Sequence, residues 1–195
     1  MLISLVGKSG SGKTTIANKL KSLDNRIIHI DVDKISHKVL EYPEVVERIK
    51  NEISKDAVKD NKIDRKSLGK VVFESSKMMD ILTNITWPHM EIIIDELINL
   101  NKDKIIILDW LLLPKTKFFI NSDFRIWVEA NQTDRLERVL LRSKSEQITK
   151  DYFLKRDKSG IDYEPGKYNI IITNSKDTDI DKEVKLIYDK SIISR

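Results

Sequence analysis

A glycine-rich stretch near the N-terminus has the residue types and spacing of a phosphate-binding loop (P-loop). Residues 7–15 read GKSGSGKTT, which fits the pattern G-x-x-x-x-G-K-[ST]. In such a loop backbone N–H groups curl around a polyphosphate, and glycines allow both the required dihedral angles and the close approach. We expect Lys13 to reach the β- and γ-phosphates and the Thr14 hydroxyl to bind Mg²⁺. The stretch therefore predicts a site for a nucleoside triphosphate.

The segments on either side of the P-loop support the same interpretation. Residues 2–6, LISLV, are predicted to form a buried strand, and residues 13–23 to form a helix with Ile16 and Leu20 on one face. The loop thus opens a helix, whose N-terminus favours anions. A chance lysine in a glycine- and serine-rich turn would not need this setting.

Acidic residues follow two further strand-like segments. Asp31 and Asp33 come after RIIHI (26–30), and we expect one of them to face the ligand cleft and the other to cap a helix. Phosphoryl transfer to a hydroxyl uses a carboxylate that orients the acceptor and takes its proton. Asp109 follows KIIIL (104–108), where an acid near Mg²⁺ is common. The alternative is that these acids are helix caps, strand-end caps or solvated side chains.

Arginines recur at three- and four-residue spacing in TDRLERVLLRS (133–143), along one face of a predicted helix. Surface ion pairs with acids of the same segment are one interpretation. The other is that an arginine stabilises the charge that develops on the transferred phosphoryl group. The candidates are Arg135, Arg138 and Arg142, with Arg156 in the next predicted helix.

Strand-like and helix-like segments alternate along the chain, which predicts an α/β fold with a mostly parallel sheet covered on both faces. Ligands of such sheets bind beyond the carboxyl ends of the strands. The predicted strands are 2–6, 26–30, 104–108, 124–130 and 168–173. The predicted helices are 13–23, 43–54, 77–100, 132–143, 146–158 and 178–190.

Length and composition restrict the class of protein. The chain has 195 residues, a formal net charge of +4, 34% charged residues and no cysteine. This length fits one domain with a subdomain, and disulfides and cysteine-ligated metals are excluded. The start does not resemble a signal peptide, and no apolar run reaches about 18 residues. Because the lysines are spread along the chain, we expect no nucleic acid as a partner. The absence of cysteine suits a cytoplasmic location, and we further expect no membrane partner and a monomer or weak oligomer.

Other classes of triphosphate-binding protein fit the chain less well. Guanine-binding GTPases carry N-K-x-D after a strand, whereas NKDK (101–104) precedes a strand and has its acid one place early. The DKSG at 157–160 lies too late in the chain for a switch motif. An ATPase motor would need a larger chain and a clearer pair of acids. These exclusions leave a small kinase that phosphorylates a small molecule.

The order of motifs along the chain resembles the dephospho-coenzyme A kinase family. The resemblance is carried by GKSGSGKTT, IHIDVDKISHKVL, KIDRKSLGKVVFES, LTNITWPHM, IIILDWLLL, TDRLERVLLRS and YNIIITNS, over residue 2 to about 190. It implies a P-loop nucleoside-kinase-like three-layer fold with a five-stranded sheet. It further implies that the γ-phosphoryl group of ATP, with Mg²⁺ as cofactor, is transferred to the ribose 3′-hydroxyl of dephospho-coenzyme A.

The resemblance also implies roles for individual residues. Asp33, Lys13 and Arg142 match catalytic positions, with Asp33 as the base. Asp33, His37, Arg65 and Asp109 are expected on the acceptor side, Thr14 as a ligand of Mg²⁺, and Asp109 as a second candidate ligand. The expected ATP-binding residues are Lys8, Ser9, Gly10, Ser11, Gly12, Lys13, Thr14, Thr15, Arg142 and Asn174.

The chain departs from the family pattern on the acceptor side. Trp87-Pro88 stands where the family shows His-Pro. DWLLLPK (109–115) keeps Asp109 but lacks the proline and the glutamate that the family pattern places there, and the glutamine expected near Gly160 is missing. A divergent nucleoside or nucleotide kinase is therefore the alternative. The expected organisation is a core of about 1–33, 101–145 and 165–195, an acceptor-binding helical insertion of about 34–100, and a lid of about 143–165.

Overall fold

The computed structural model describes residues 1–142, 149–158 and 160–193, and it is built on a five-stranded sheet. The strands in the described residues are β1 (Leu2–Val6), β2 (Ile27–Asp31), β3 (Val58–Lys59), β4 (Lys62–Ile63), β5 (Ile105–Asp109), β6 (Phe124–Glu129) and β7 (Ile170–Thr173). The sheet has the order β2-β5-β1-β6-β7, and each neighbouring pair in it runs parallel. The predicted α/β class with a five-stranded parallel sheet is confirmed.

Helices connect these strands. The α-helices of the described residues are α1 (Lys13–Leu23), α2 (Val32–Val39), α3 (Pro43–Glu52), α4 (Arg65–Val72), α5 (Ser76–Leu100), α6 (Lys117–Ile120), α7 (Gln132–Arg142), α8 (Lys150–Lys158) and α9 (Ile180–Tyr188). Short 3₁₀ turns lie at Lys55–Ala57 and Leu113–Lys115, and a π-helical segment, Asp189–Ile193, follows α9. Within the described ranges, no helix combines the length and apolar character that crossing a bilayer demands.

The central strands are mostly apolar because both faces of the sheet are covered. Every residue of β1 and β5 is buried. On one face Ile3 and Leu5 pack in a cluster with Ile16 and Leu20 of α1 and with Val184 of α9. Burying one such side chain contributes about 1.5–3 kcal/mol. This packing fixes where β1 ends and α1 begins, and so positions the loop between them.

The parallel register brings the carboxyl ends of three strands to one edge of the sheet. Leu5 of β1 and Asp31 of β2 are both paired with Asp109 of β5. Gly7 follows β1 directly, so the P-loop begins beside the end of β5. This edge is where open α/β sheets bind their ligands.

Backbone contacts divide the chain into two compact units, Met1–Asp31 with Asn101–Arg195, and Val32–Leu100. The first contains the five-stranded sheet. The second contains α2 to α5 and the β3–β4 hairpin, whose Asp60 and Asn61 adopt the left-handed conformation with φ of 49° and 57°. Left-handed conformation at both central residues is typical of a two-residue type I′ hairpin turn.

The structure corrects several predicted elements. The predicted helices do not include α2, which begins at Val32 directly after β2 and has Asp33 in its first turn. Asp31 is the last residue of a strand and Asp33 lies in a helix. Their side chains therefore do not share the common face that two residues at this spacing within one strand would have. The prediction also missed α4, α6 and the β3–β4 hairpin. The predicted helix at 146–158 and lid at 143–165 include residues 143–148 and 159, which lie outside the described residues; α8 covers Lys150–Lys158.

Candidate active site

The P-loop adopts a conformation that requires glycine at two positions. Gly10 and Gly12 have φ of 80° and 99°, in the left-handed region that side chains disfavour. A Cβ on Gly10 would lie 2.5 Å from the carbonyl oxygen of Arg135, and one on Gly12 would collide with the Asn174 side-chain amide. Helix α1 begins at Lys13, immediately after Gly12. Two of the glycines in the motif are thus explained by backbone conformation and by close packing.

Side chains from two other segments hold the carbonyl groups of the P-loop. Arg135 Nη1 donates to the Ser9 carbonyl at 3.3 Å and Arg138 Nη1 to the Gly10 carbonyl at 3.3 Å. Asn174 Nδ2 donates to the Ser11 carbonyl at 2.8 Å. Arg138 also donates to the Asn174 carbonyl at 3.1 Å, which ties α7 to the loop after β7. The loop is therefore held from outside at three successive carbonyls.

Asp109 is the centre of a polar cluster at the end of β5. It is only 4% exposed, and its Oδ2 accepts a hydrogen bond from the Thr14 hydroxyl at 2.9 Å. His29 Nε2 lies 3.2 Å from the same oxygen and donates to it, because a carboxylate only accepts. Lys13 Nζ lies 3.8 Å from Asp109 Oδ1. A cation, a hydroxyl and a carboxylate thus converge beside the P-loop.

The surroundings of Asp109 keep its carboxyl ionised. Burial acts to raise the pKa of Asp109, but the hydrogen bond from His29, the charge of Lys13 and the hydrogen bond from Thr14 act against burial and leave the pKa below its usual range. The group therefore stays a carboxylate at neutral pH. A carboxylate beside a hydroxyl is a pair of oxygen donors of the kind that Mg²⁺ prefers.

The residues expected on the acceptor side lie mostly in the Val32–Leu100 unit. Asp33 is exposed in the first turn of α2. Arg65 Nη1 is 3.0 Å from His37 Nδ1, and both side chains are exposed. Asp64 caps α4, since its carboxylate accepts from the backbone N–H of Lys66 and of the following serine. The structure thus brings His37 and Arg65 together, and Asp64 stabilises the start of α4.

The remaining predicted residues have different surroundings. Lys8 pairs with Asp162 at 2.5 Å, and Arg142 is the exposed last residue of α7. Asn174 directly follows the last strand, and its side chain supports the P-loop. Arg156 is exposed on α8.

Comparison with known proteins places this site in a family. The sequence profile described as "Dephospho-CoA kinase" matches residues 1–177. The chain belongs to the dephospho-CoA kinase family. It is 28% identical over 193 residues to the dephospho-CoA kinase of Oryza sativa subsp. japonica, covering 93% of this chain and 80% of the rice protein. It is 28% identical over 186 residues to the dephospho-CoA kinase of Fusobacterium nucleatum subsp. nucleatum, covering 95% of each.

A solved structure agrees with this assignment. The dephospho-CoA kinase from Campylobacter jejuni is similar with a TM-score of 0.68 at 26% identity, over 100% of this chain and 98% of that one. The protein is thus a kinase that phosphorylates dephospho-CoA to CoA, with ATP as co-substrate. The resemblance drawn from the motifs is confirmed. The alternative of a divergent nucleoside or nucleotide kinase is not favoured.

Sequence reasoning missed two parts of the site. His29 lies inside β2, one place before an isoleucine, and nothing in the local pattern distinguishes it from a strand residue. Asp157 lies in α8 and pairs with Arg135 across 22 positions of sequence. The spacing of the α7 arginines identified Arg135 as a candidate, but it gave no indication of which acid would meet it.

Proposed function

We propose that the P-loop holds the triphosphate of ATP and that Asp33 takes the proton of the acceptor's 3′-hydroxyl. The observation that supports this most is the convergence of Thr14 and Lys13 on Asp109, at 2.9 and 3.8 Å, where the parallel strands end. Phosphoryl transfer relies on positioning and on stabilisation of charge, and this cluster supplies groups for both.

Lys13 and the backbone N–H groups of the P-loop would stabilise the charge on the transferred phosphoryl group. Fixed donors do this best when they need not reorganise during the reaction, and the outward-held carbonyls of Ser9, Gly10 and Ser11 keep the loop fixed. We propose Lys8, Gly12 and Thr15 as the remaining phosphate contacts and Arg142 as an arginine that reaches the transferred group. Asn174 acts through the loop it supports.

Thr14 and Asp109 would hold Mg²⁺. When bound, this ion neutralises charge on the β- and γ-phosphates. Mg²⁺ is usually held by one or two protein oxygens together with water and substrate phosphates. In the ranges 1–142, 149–158 and 160–193, no group of three or more His, Cys, Asp or Glu is arranged to hold a metal. The Thr14–Asp109 pair therefore suits an ion whose other ligands come from ATP and water.

Asp33 is the proposed base because of its position in the chain. It follows Asp31, the last residue of β2, by two residues, and two residues span at most about 7 Å. Asp31 is in turn paired with Asp109 in the sheet. A ribose hydroxyl does not ionise at neutral pH, so a carboxylate that takes its proton late in the transfer contributes about 10²–10⁴-fold.

His37 and Arg65 are proposed to bind the diphosphate of the acceptor. Because Arg65 donates to His37 Nδ1, the proton of the neutral imidazole lies on Nε2. Both side chains are exposed, and a guanidinium beside an imidazole suits a phosphate oxygen.

A panel of acceptors tests the proposal. ADP formation is measured by a coupled assay with ATP, Mg²⁺ and either dephospho-CoA, adenosine, deoxynucleosides or nucleoside monophosphates, and the product is identified chromatographically. We expect turnover with dephospho-CoA alone, yielding CoA, and no turnover by Lys13→Ala prepared in parallel. Preferred turnover of a nucleoside or nucleotide would reject the proposed acceptor site.

We also propose that the protein acts in the cytoplasm as a monomer or weak oligomer, without nucleic acid, because both substrates are water-soluble small molecules. Size-exclusion chromatography with light scattering, and fractionation of cells, test these points. A stable oligomer or a membrane-associated pool would contradict them.

A further inference from the structure

A buried ion pair joins α7 to α8. Arg135 donates to both carboxylate oxygens of Asp157, at 2.5 and 2.9 Å, and the two side chains are only 6% and 7% exposed. Gln132 Nε2 donates to Asp157 at 3.0 Å, and the Phe153 ring lies 5.7 Å from the guanidinium. The pair is thus bidentate, desolvated and enclosed by its neighbours.

Stability alone does not account for such a pair. Removing two charges from water costs several kcal/mol for each ion, and well-packed apolar residues of similar volume often do as well or better. We therefore explain this ion pair by the other contacts that its guanidinium makes. The guanidinium keeps three of its five N–H groups for other partners, and one of those partners is in the P-loop.

Arg135 touches the P-loop with both its side chain and its backbone. Its Nη1 donates to the Ser9 carbonyl at 3.3 Å, while its Nε donates to the Ala130 carbonyl at 3.1 Å. Its own carbonyl oxygen lies so close to Gly10 that a Cβ there would approach to 2.5 Å. The residue is therefore fixed against the Ser9–Gly10 peptide from two directions.

The contact between Arg135 and the Ser9 carbonyl also fixes the orientation of the Ser9–Gly10 peptide. In a planar trans peptide the C=O and the following N–H point in opposite directions. Because the Ser9 carbonyl faces the Arg135 guanidinium, the Gly10 N–H faces away from that guanidinium. This orientation is the one that a phosphate-binding loop needs, since its donors must face the anion.

We propose that Arg135 and Asp157 are positioning residues for ATP: Asp157 holds the Arg135 guanidinium, and Arg135 holds the Ser9–Gly10 peptide with its N–H directed at the phosphates. The proposal rests on the proposed function in that the P-loop holds ATP. Because Asp157 belongs to α8, a displacement of α8 removes the partner of Arg135. The position of α8 is therefore coupled to the affinity of the loop for nucleotide.

The test compares Asp157→Asn, Arg135→Gln and the double variant Arg135→Gln/Asp157→Asn with the wild type. ATP affinity is measured by calorimetric titration, KM for ATP and for dephospho-CoA by the coupled assay, and stability by urea denaturation. The matched control is Asp181→Asn, which breaks the exposed ion pair between Lys19 of α1 and Asp181 of α9. Lys13→Ala reports separately on whether the P-loop is the ATP site.

We expect Asp157→Asn to weaken ATP binding by about 10- to 100-fold, the usual worth of one hydrogen bond to a charged group, while KM for dephospho-CoA stays within about twofold. The double variant, which leaves no unpaired buried charge, should regain stability and still bind ATP weakly. Asp181→Asn should bind ATP like the wild type. If ATP affinity is unchanged in Asp157→Asn, or returns together with stability in the double variant, the positioning role is refuted. If Lys13→Ala itself binds ATP normally, the proposed ATP site fails instead.

Discussion

Replacing Asp109 with asparagine would remove one charge from the proposed site and keep the shape of the side chain. In the wild type the Thr14 hydroxyl donates to Asp109 at 2.9 Å, His29 Nε2 lies at 3.2 Å, and Lys13 Nζ at 3.8 Å. An asparagine oxygen still accepts from Thr14. The substitution therefore isolates the charge of the carboxylate and leaves its volume unchanged.

The size of the effect follows from these distances. Two unit charges 3.8 Å apart, as for Lys13 and Asp109, attract by about 4 kcal/mol at an effective dielectric constant near 20. Desolvation of the buried carboxylate offsets much of this attraction. The pKa of Asp109 nevertheless lies below its usual range, so its surroundings favour the carboxylate over the neutral acid. We expect Asp109→Asn to lower the free energy of unfolding by about 1–3 kcal/mol at pH 7.

The pH dependence has a definite sign. A carboxyl group whose pKa is lowered by folding contributes stability above its unfolded pKa, near 4 for aspartate, and loses that contribution as pH falls through its folded pKa. The difference in the free energy of unfolding between wild type and Asp109→Asn should thus be largest at pH 6–7 and become smaller below about pH 4.

Urea denaturation of both proteins between pH 3 and 7 measures this difference. The matched control is Asp103→Asn, an exposed aspartate in the loop before β5 that lies 3.9 Å from Lys104. The half-saturating Mg²⁺ concentration in the kinase assay should rise about tenfold in Asp109→Asn alone, the lower end of the usual effect of altering the shell around a metal. A stability difference that persists undiminished at pH 3 would show that the Asp109 charge is not its source, and an unchanged Mg²⁺ requirement would show that Asp109 does not bind the ion.

Three further substitutions test single features. Lys13→Ala should abolish transfer while the protein stays folded, because the positive charge on the phosphates is lost; normal turnover in the folded variant would remove Lys13 from the site. Arg142→Lys should turn over poorly, since a point charge replaces a planar fork; if Arg142→Lys and Arg142→Ala both match the wild-type kcat, the residue lies outside the reaction. Gly12→Ala should weaken ATP binding in titrations and cost more stability than Gly166→Ala. Both glycines are left-handed, but only Gly12 faces the Asn174 amide; equal losses of stability would show that only the strain of the left-handed backbone acts.

The P-loop and the sheet edge were predictable because their signals are local. The motif at 7–15 needs only adjacent residues, and Asp109 could be identified from its place directly after an apolar strand. The strands of the sheet were predicted within two residues of their observed ends because buried parallel strands are continuous apolar runs.

The remaining features depend on pairing between distant segments. His29 becomes part of the site only because β2 lies beside β5, and Asp157 only because α8 packs on α7. The helix α2 was missed because the aspartates and β-branched residues of DVDKISHKVL have weak helix propensity, and packing of Val32, Ile35 and Val39 outweighs it. Local propensity does not contain that packing energy.

We propose that Asp33, rather than Asp31, takes the proton from the acceptor hydroxyl, and the kcat values of Asp33→Asn and Asp31→Asn with dephospho-CoA distinguish the two residues. Asp33→Asn keeps the shape of the side chain and loses the basic oxygen, so kcat should fall by about 10²–10⁴-fold while ATP affinity by titration changes little. Asp31→Asn should keep a kcat within a few-fold of wild type and lose mainly stability. An inactive Asp31→Asn beside an active Asp33→Asn would contradict the account, and full activity of both would place the base elsewhere.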